Sequence, residues 1–181
     1  MQRKRGDKVL AAAFPIDQFS VWRGLGIVAI LLAAALSLSA ADSTASLDRH
    51  SQIEESVLSE INSLRSKHGL KELTVNEDLR EAARYQSRCM VLSGALSHQD
   101  LQGRTLAQRL KLGMPIRYRI AAENVARNRG YSDPAGQAAL EWANSTKHLE
   151  NILNPAFSET GVGSVIGPDG TVYLTQLFLA R

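Results

Sequence analysis

Apolar side chains recur at helical spacing from Ser51 onward: Ile53, Val57, Leu58, Ile61 and Leu64 share one face, and Gly69 closes the run. Lys67 and His68 suit the negative end of that helix. A second helix is expected from Asn76, a good N-cap with Glu77 and Asp78 in the first turn. Its face is Leu79, Ala82, Ala83, Gln86, Cys89 and Met90. A loop with Ser97, His98 and Asp100 follows, then a short helix over 105–112 ended by Gly113. The segment from Ala121 to Ala126 is apolar around one acid, Glu123, and one amide, Asn124. Asp133-Pro134 opens a further helix with proline in its first turn, and the pattern carries it through Trp142 toward Ser145 and His148. After Asn154-Pro155 the pattern becomes strand-like. Val162, Val165 and Ile166 lead to a Pro168-Asp169-Gly170 turn, then Val172, Tyr173, Leu174, Gln176, Leu177 and Phe178. Helices first and a hairpin last is the order of an α+β fold, with helices packed on an antiparallel sheet.

The start of the chain reads differently. Residues 25–38 are uncharged and mostly apolar, Arg23 precedes them, and Ser39-Ala40-Ala41 follows. Basic flank, short apolar run and small residues make an export leader, with a cut expected after Ala41. The run is short of the ~20 residues that cross a bilayer comfortably. The expected organisation is a leader over 1–41, a signal peptide or else an N-terminal anchor, then a linker over 42–50 and one domain over 51–181. Phe14, Pro15 and Asp17 are unlike a leader's start, which makes Val21 a candidate start. No cysteine follows the apolar run, which excludes lipid attachment there. The chain is therefore expected in the periplasm or outside the cell, or held at the inner membrane facing the periplasm if the leader stays.

Composition narrows the function. With 44% hydrophobic and 22% charged residues among 181, the chain is neither disordered, collagen-like nor coiled-coil. The net charge of +3 resides in residues 1–41, and residues 42–181 carry equal numbers of acidic and basic side chains. No nucleic-acid partner is expected, and a membrane is met only through an uncleaved leader. The single cysteine, Cys89, excludes a disulfide framework and a cysteine-rich zinc site, and it reads as a small buried apolar residue.

Among groups that carry chemistry, Glu123 stands out. A carboxylate between Ala122 and Val125 must find a partner or take a proton. His98 lies in a loop and His148 follows Trp142 by six residues. There is no His-x-x-x-His zinc motif, no Gly-x-Ser-x-Gly elbow and no phosphate loop.

Taken in order, the motifs over residues 53–179 resemble a CAP domain, the superfamily of cysteine-rich secretory, antigen 5 and pathogenesis-related 1 proteins, in its short bacterial SCP-like branch. The matching residues are Ile61-Asn62-Ser63-Leu64-Arg65 with Gly69-Leu70, Ser97-His98, Glu123-Asn124-Val125-Ala126, and Trp142 with Ser145-x-x-His148-x-x-Asn151-Ile152-Leu153-Asn154. Phe157, Gly161-Val162-Gly163 and Tyr173-x-Thr175-Gln176-x-Phe178 complete the series. The resemblance implies an α–β–α sandwich with a central antiparallel sheet, and a cleft holding His98 and Glu123. Two positions depart from the family: Tyr173 stands where a strand histidine is expected and Ser145 where a glutamate is, while His148 is supplied close by. The resemblance places Gln176 in the same cleft. It also implies that zinc or another divalent cation would use His98, His148 and Glu123, with water completing the shell. The leading expectation is a module binding a small molecule or lipid-like ligand, not an enzyme. The alternatives are a cation-assisted hydrolase in the cell envelope, with Glu123 or His98 as general base and Ser145 as a candidate nucleophile, and a structural partner-docking domain.

Overall fold

Helix α1 covers residues 48–67 of the computed structural model, which describes residues 48–113 and 117–181. Ile53, Val57 and Ile61 form its buried stripe, at the spacing expected, and Gly69 ends it in the left-handed region at φ 71°. The helix is already formed at Asp48, so residues 48–50, expected in a linker, belong to the domain. The leader over 1–41 and the rest of the linker lie outside the described residues.

The remaining elements are β1 (Thr74–Val75), α2 (Glu77–Ser93), α3 (Leu106–Gly113), β2 (Ile120–Asn128), α4 (Pro134–Ala143), α5 (Thr146–Ile152), β3 (Glu159–Ile166) and β4 (Val172–Ala180). Asn76 caps α2 by accepting the Leu79 N–H at 3.2 Å, and Asp133 caps α4 by accepting that of Gly136 at 2.9 Å. The hairpin of β3 and β4 forms about the Pro168-Asp169-Gly170 turn as its pattern predicts. The helix expected to run from Pro134 toward His148 is broken. Ser145 adopts an extended backbone (φ −106°, ψ 117°), and the chain restarts as α5.

The sheet order is β1–β3–β4–β2, antiparallel except that β1 runs parallel to β3. Side chains alternate across it. Val172, Leu174, Phe178 and Ala180 of β4 face Ile53, Val57 and Ile61 of α1, Trp142 of α4 and Ile152 of α5. Leu177 and Leu179 face the other way, onto Leu79 and Ala83 of α2 and Leu110 of α3. The fold is therefore an α–β–α sandwich. Gly161 and Gly163 let α2 lie close on the sheet: a Cβ at either would collide with helix backbone at Leu79–Arg80 or Ala83–Arg84.

Two buried charges tie the layers. Glu54 of α1 accepts the Ser164 N–H of β3 at 2.9 Å and pairs with Arg84 of α2 at 2.6 Å. It occupies β3 where the two-residue β1 has ended, a protected sheet edge. Arg65, 1% exposed, donates to four carbonyls: Lys71 at 2.9 Å, Ile152 at 2.6 Å, Asn154 at 3.1 Å and Phe157 at 3.2 Å. Burial lowers its pKa.

Candidate functional site

The site is built on β2, an edge strand. Glu123 pairs with Leu177 and Asn124 with Gln176, so the adjacent side chains leave opposite faces of the sheet. Each grips a different element.

Glu123 points to the α2–α3 side with its carboxylate 3% exposed. Its Oε1 meets His98 Nδ1 at 2.9 Å, and its Oε2 accepts from Arg109 Nη2 of α3. The buried charge is thus compensated by a cation that is itself only 5% exposed. The His98 loop is fixed through three successive carbonyls. Gln86 of α2 donates Nε2 to Ser97 O at 2.7 Å and Gln99 O at 3.1 Å, and Arg109 Nη1 donates to His98 O at 2.8 Å. Cys89, three residues after Gln86, is buried as expected.

Asn124 works on the opposite face. Its Nδ2 donates to His148 O of α5 at 3.1 Å, and its Oδ1 accepts from Asn151 at 2.8 Å. Trp142 Nε1 adds a bond to Val125 O at 3.1 Å. His148 is half-buried at the rim, within electrostatic reach of His98.

The two imidazoles differ in titration. The hydrogen bond to Glu123, against some desolvation, raises His98 above 6.5. Burial first, and then the charge of His98, push His148 below 6.5. The stability contributed by charged His98 is complete below pH 6.5 and fades as pH rises through its higher folded value. For His148 the reverse holds: stability falls as acid below pH 6.5 forces a proton onto it. Ring-proton NMR is expected to show His98 titrating above His148, with Glu123→Gln moving the His98 midpoint down; coincident midpoints would contradict this electrostatic picture.

The structure pairs His98 with Glu123, both singled out in the sequence, and His148 is linked to them by its electrostatic interaction with His98. It does not bring Gln176 or Tyr173 to Glu123. Gln176 is fully buried on the other face of the sheet, donating to Thr160 Oγ1 at 3.2 Å. Tyr173 shares a face with Glu123 but pairs four residues further along, at Arg127, and packs on Met90 and Val125. Ser145 is the N-cap residue of α5 and its hydroxyl makes no capping bond. Arg109 and Gln86 carry roles the sequence reading missed. The signal for Arg109 was indirect, since a buried carboxylate requires a counter-charge but no spacing rule names it.

The metal expectation does not fit. Among the described residues no group of three His, Cys, Asp or Glu side chains is placed to hold an ion. Each Glu123 oxygen already accepts a hydrogen bond, so a cation there would compete with the Arg109 guanidinium for the carboxylate's charge.

Comparison with known proteins places the fold. Residues 58–178 match the model of CAP, the cysteine-rich secretory protein family. The chain belongs to this family. The CAP domain is 34% identical over 131 residues to the uncharacterized protein YkwD of Bacillus subtilis, covering 72% of this chain and 48% of YkwD. Among solved structures, it superposes on an extracellular protein containing an SCP domain from Bacillus anthracis with a TM-score of 0.62 and 29% identity, over 73% of this chain and 41% of that one. An outer surface protein of Borrelia burgdorferi shares the CAP fold with a TM-score of 0.61 at 23% identity, over 68% of this chain and 89% of that one. The chain therefore spans about half the length of YkwD and less than half of the Bacillus anthracis protein. Among the described residues no helix is long and apolar enough to cross a membrane.

Proposed function

We propose that this CAP domain is an exported binding module for a molecule with a polar head and an apolar body. The head sits between His98 and His148, and the body enters the cavity between α2 and α3. The observation that carries this is the state of Glu123. With its carboxylate bonded to both Arg109 and His98, the site offers a ligand two imidazoles of unlike protonation. His98, readily protonated, and His148, whose neutral ring still carries one N–H, can both donate, which suits a carboxylate head group. Arg109 links the two halves, since it also lines a cavity of about 300 Å³ walled by Ala82, Tyr85, Leu110 and Leu112. That volume is at the lower end for small-molecule sites. Delivery to the periplasm or beyond is supported by the leader pattern over 23–41 and by the extracellular and surface relatives.

Calorimetric titration of the delipidated protein with lauric acid tests this reading. Saturable binding is expected, weakened about tenfold in His98→Ala and in His148→Ala, the loss of one good polar contact. No binding of lauric acid by the folded protein, or binding by both variants as tight as by the unaltered protein, would reject it. Equimolar zinc chloride is expected to leave the melting temperature unchanged. A rise that both alanine variants remove would establish cation binding instead, by linkage to the native state.

Hydrolysis is a second reading, favoured by one feature: Glu123 orients His98 through Nδ1 as a carboxylate orients a general base. It requires turnover of an ester such as p-nitrophenyl acetate to vanish in both Glu123→Gln and His98→Ala. Ser145 is bonded to neither imidazole.

A further inference from the structure

We infer a second ligand site, for a saccharide ring, at the far end of the sheet from His98. A cavity of about 330 Å³ opens there between the start of α1, the end of β2 and the β3–β4 turn. Asn128 lies five residues beyond Glu123 on β2, about 17 Å away at ~3.3 Å per residue. The two sites are therefore separate, and this one does not depend on what His98 binds.

Three observations define the chemistry. Asn128, 6% exposed, lines the cavity and donates Nδ2 to Pro134 O at 2.9 Å, while its Oδ1 has no hydrogen-bond partner. A buried acceptor left without a donor is costly, and a small turn of the side chain toward the cavity would let a ligand hydroxyl satisfy it. Tyr131, 53% exposed, lies on the cavity wall just after Gly130, whose φ of 81° turns the chain out of the strand. It supplies a rigid amphipathic ring of the kind that carries recognition surfaces. Arg49, Arg129 and Asp169 add fixed charges, with Arg129 Nη1 and Asp169 Oδ2 3.4 Å apart. Thr171 orders Asp169 through its hydroxyl at 2.7 Å and its N–H at 3.0 Å.

An apolar ligand would strip water from Arg129 and Asp169 without replacing it. A bare phosphate would leave the Tyr131 ring unused. A sugar has both a C–H face for the tyrosine ring and a rim of hydroxyls that donate and accept. The excess of arginine over aspartate favours a sugar that carries a carboxylate.

The test is a ¹H–¹⁵N NMR titration of the full chain with sodium glucuronate, glucose as the neutral control and inorganic phosphate as the anion control. Glucuronate is expected to give saturable shifts at Arg129, Gly130, Tyr131 and Gly170, with a Kd in the millimolar range, and to leave His98 unmoved. Glucose should bind the same residues more weakly and phosphate not saturate. Tyr131→Ala, at an exposed position, should weaken glucuronate about tenfold. Absence of saturable shifts at this loop, phosphate binding as tightly as glucuronate, or an unaffected Tyr131→Ala variant would each overturn the assignment.

Discussion

Replacing Arg65 by methionine is expected to lower the unfolding free energy by about 4 kcal/mol, a fall in melting temperature of roughly 15 °C. The guanidinium is the common donor to Lys71, Ile152, Asn154 and Phe157 carbonyls, which come from two stretches of chain more than eighty residues apart. Methionine keeps much of the volume and orphans three of the acceptors, while Asn154 O still accepts the Phe157 N–H at 3.3 Å. Each unsatisfied buried acceptor costs about 1–3 kcal/mol before relaxation and water entry reduce the total. Lysine should recover less than half the loss, because one ammonium cannot reproduce the planar fork. Urea unfolding of the three proteins is the measurement. A loss under about 1 kcal/mol for methionine would mean that these carbonyls find water easily and that Arg65 is not the tie between α1 and the end of α5.

The next largest effect is expected at Arg109. Arg109→Met leaves the Glu123 carboxylate buried with only the exposed His98 as partner, at a cost of about 3–5 kcal/mol. Glu123→Gln in the same chain should restore most of that stability, since the uncompensated charge disappears with it. Arg109→Met also removes the positive charge that opposes protonation of His98, so the His98 midpoint should move further up. It frees His98 O as well, which should raise amide exchange across 97–99. Strictly additive losses in the double variant would show that Arg109 and Glu123 are not coupled, and that the loop is held by Gln86 alone.

How much of this was visible in the residues varies with the range of the interaction. Helix caps at Asn76 and Asp133, the stop at Gly69 and the Pro168-Asp169-Gly170 turn depend on neighbours in sequence, and they appear where local chemistry puts them. The break between α4 and α5 was missed because nothing in the apolar spacing distinguishes one long helix from two short ones. After the break α5 docks on Asn124, a contact across 24 residues that no local pattern announces. Glu123 and His98 were legible through the family pattern and through the strain of an acid among alanines. Gln176 was misplaced because a motif match fixes a position on a strand but not the face. Strand alternation relative to Glu123, readable only once Asn124 is paired with Gln176, turns it inward. Arg109 and Gln86 act through carbonyls of a loop, and backbone acceptors carry no sequence signature.

The missing side chains at Gly161 and Gly163 bear on how this molecule can open. With α2 seated directly on strand backbone there is no compressible layer between them, so the helix cannot tilt or slide without losing the whole interface. Any widening of the hollow beside His98 therefore falls to α3 or the 97–99 loop, the two walls joined to Glu123 through Arg109 and His98.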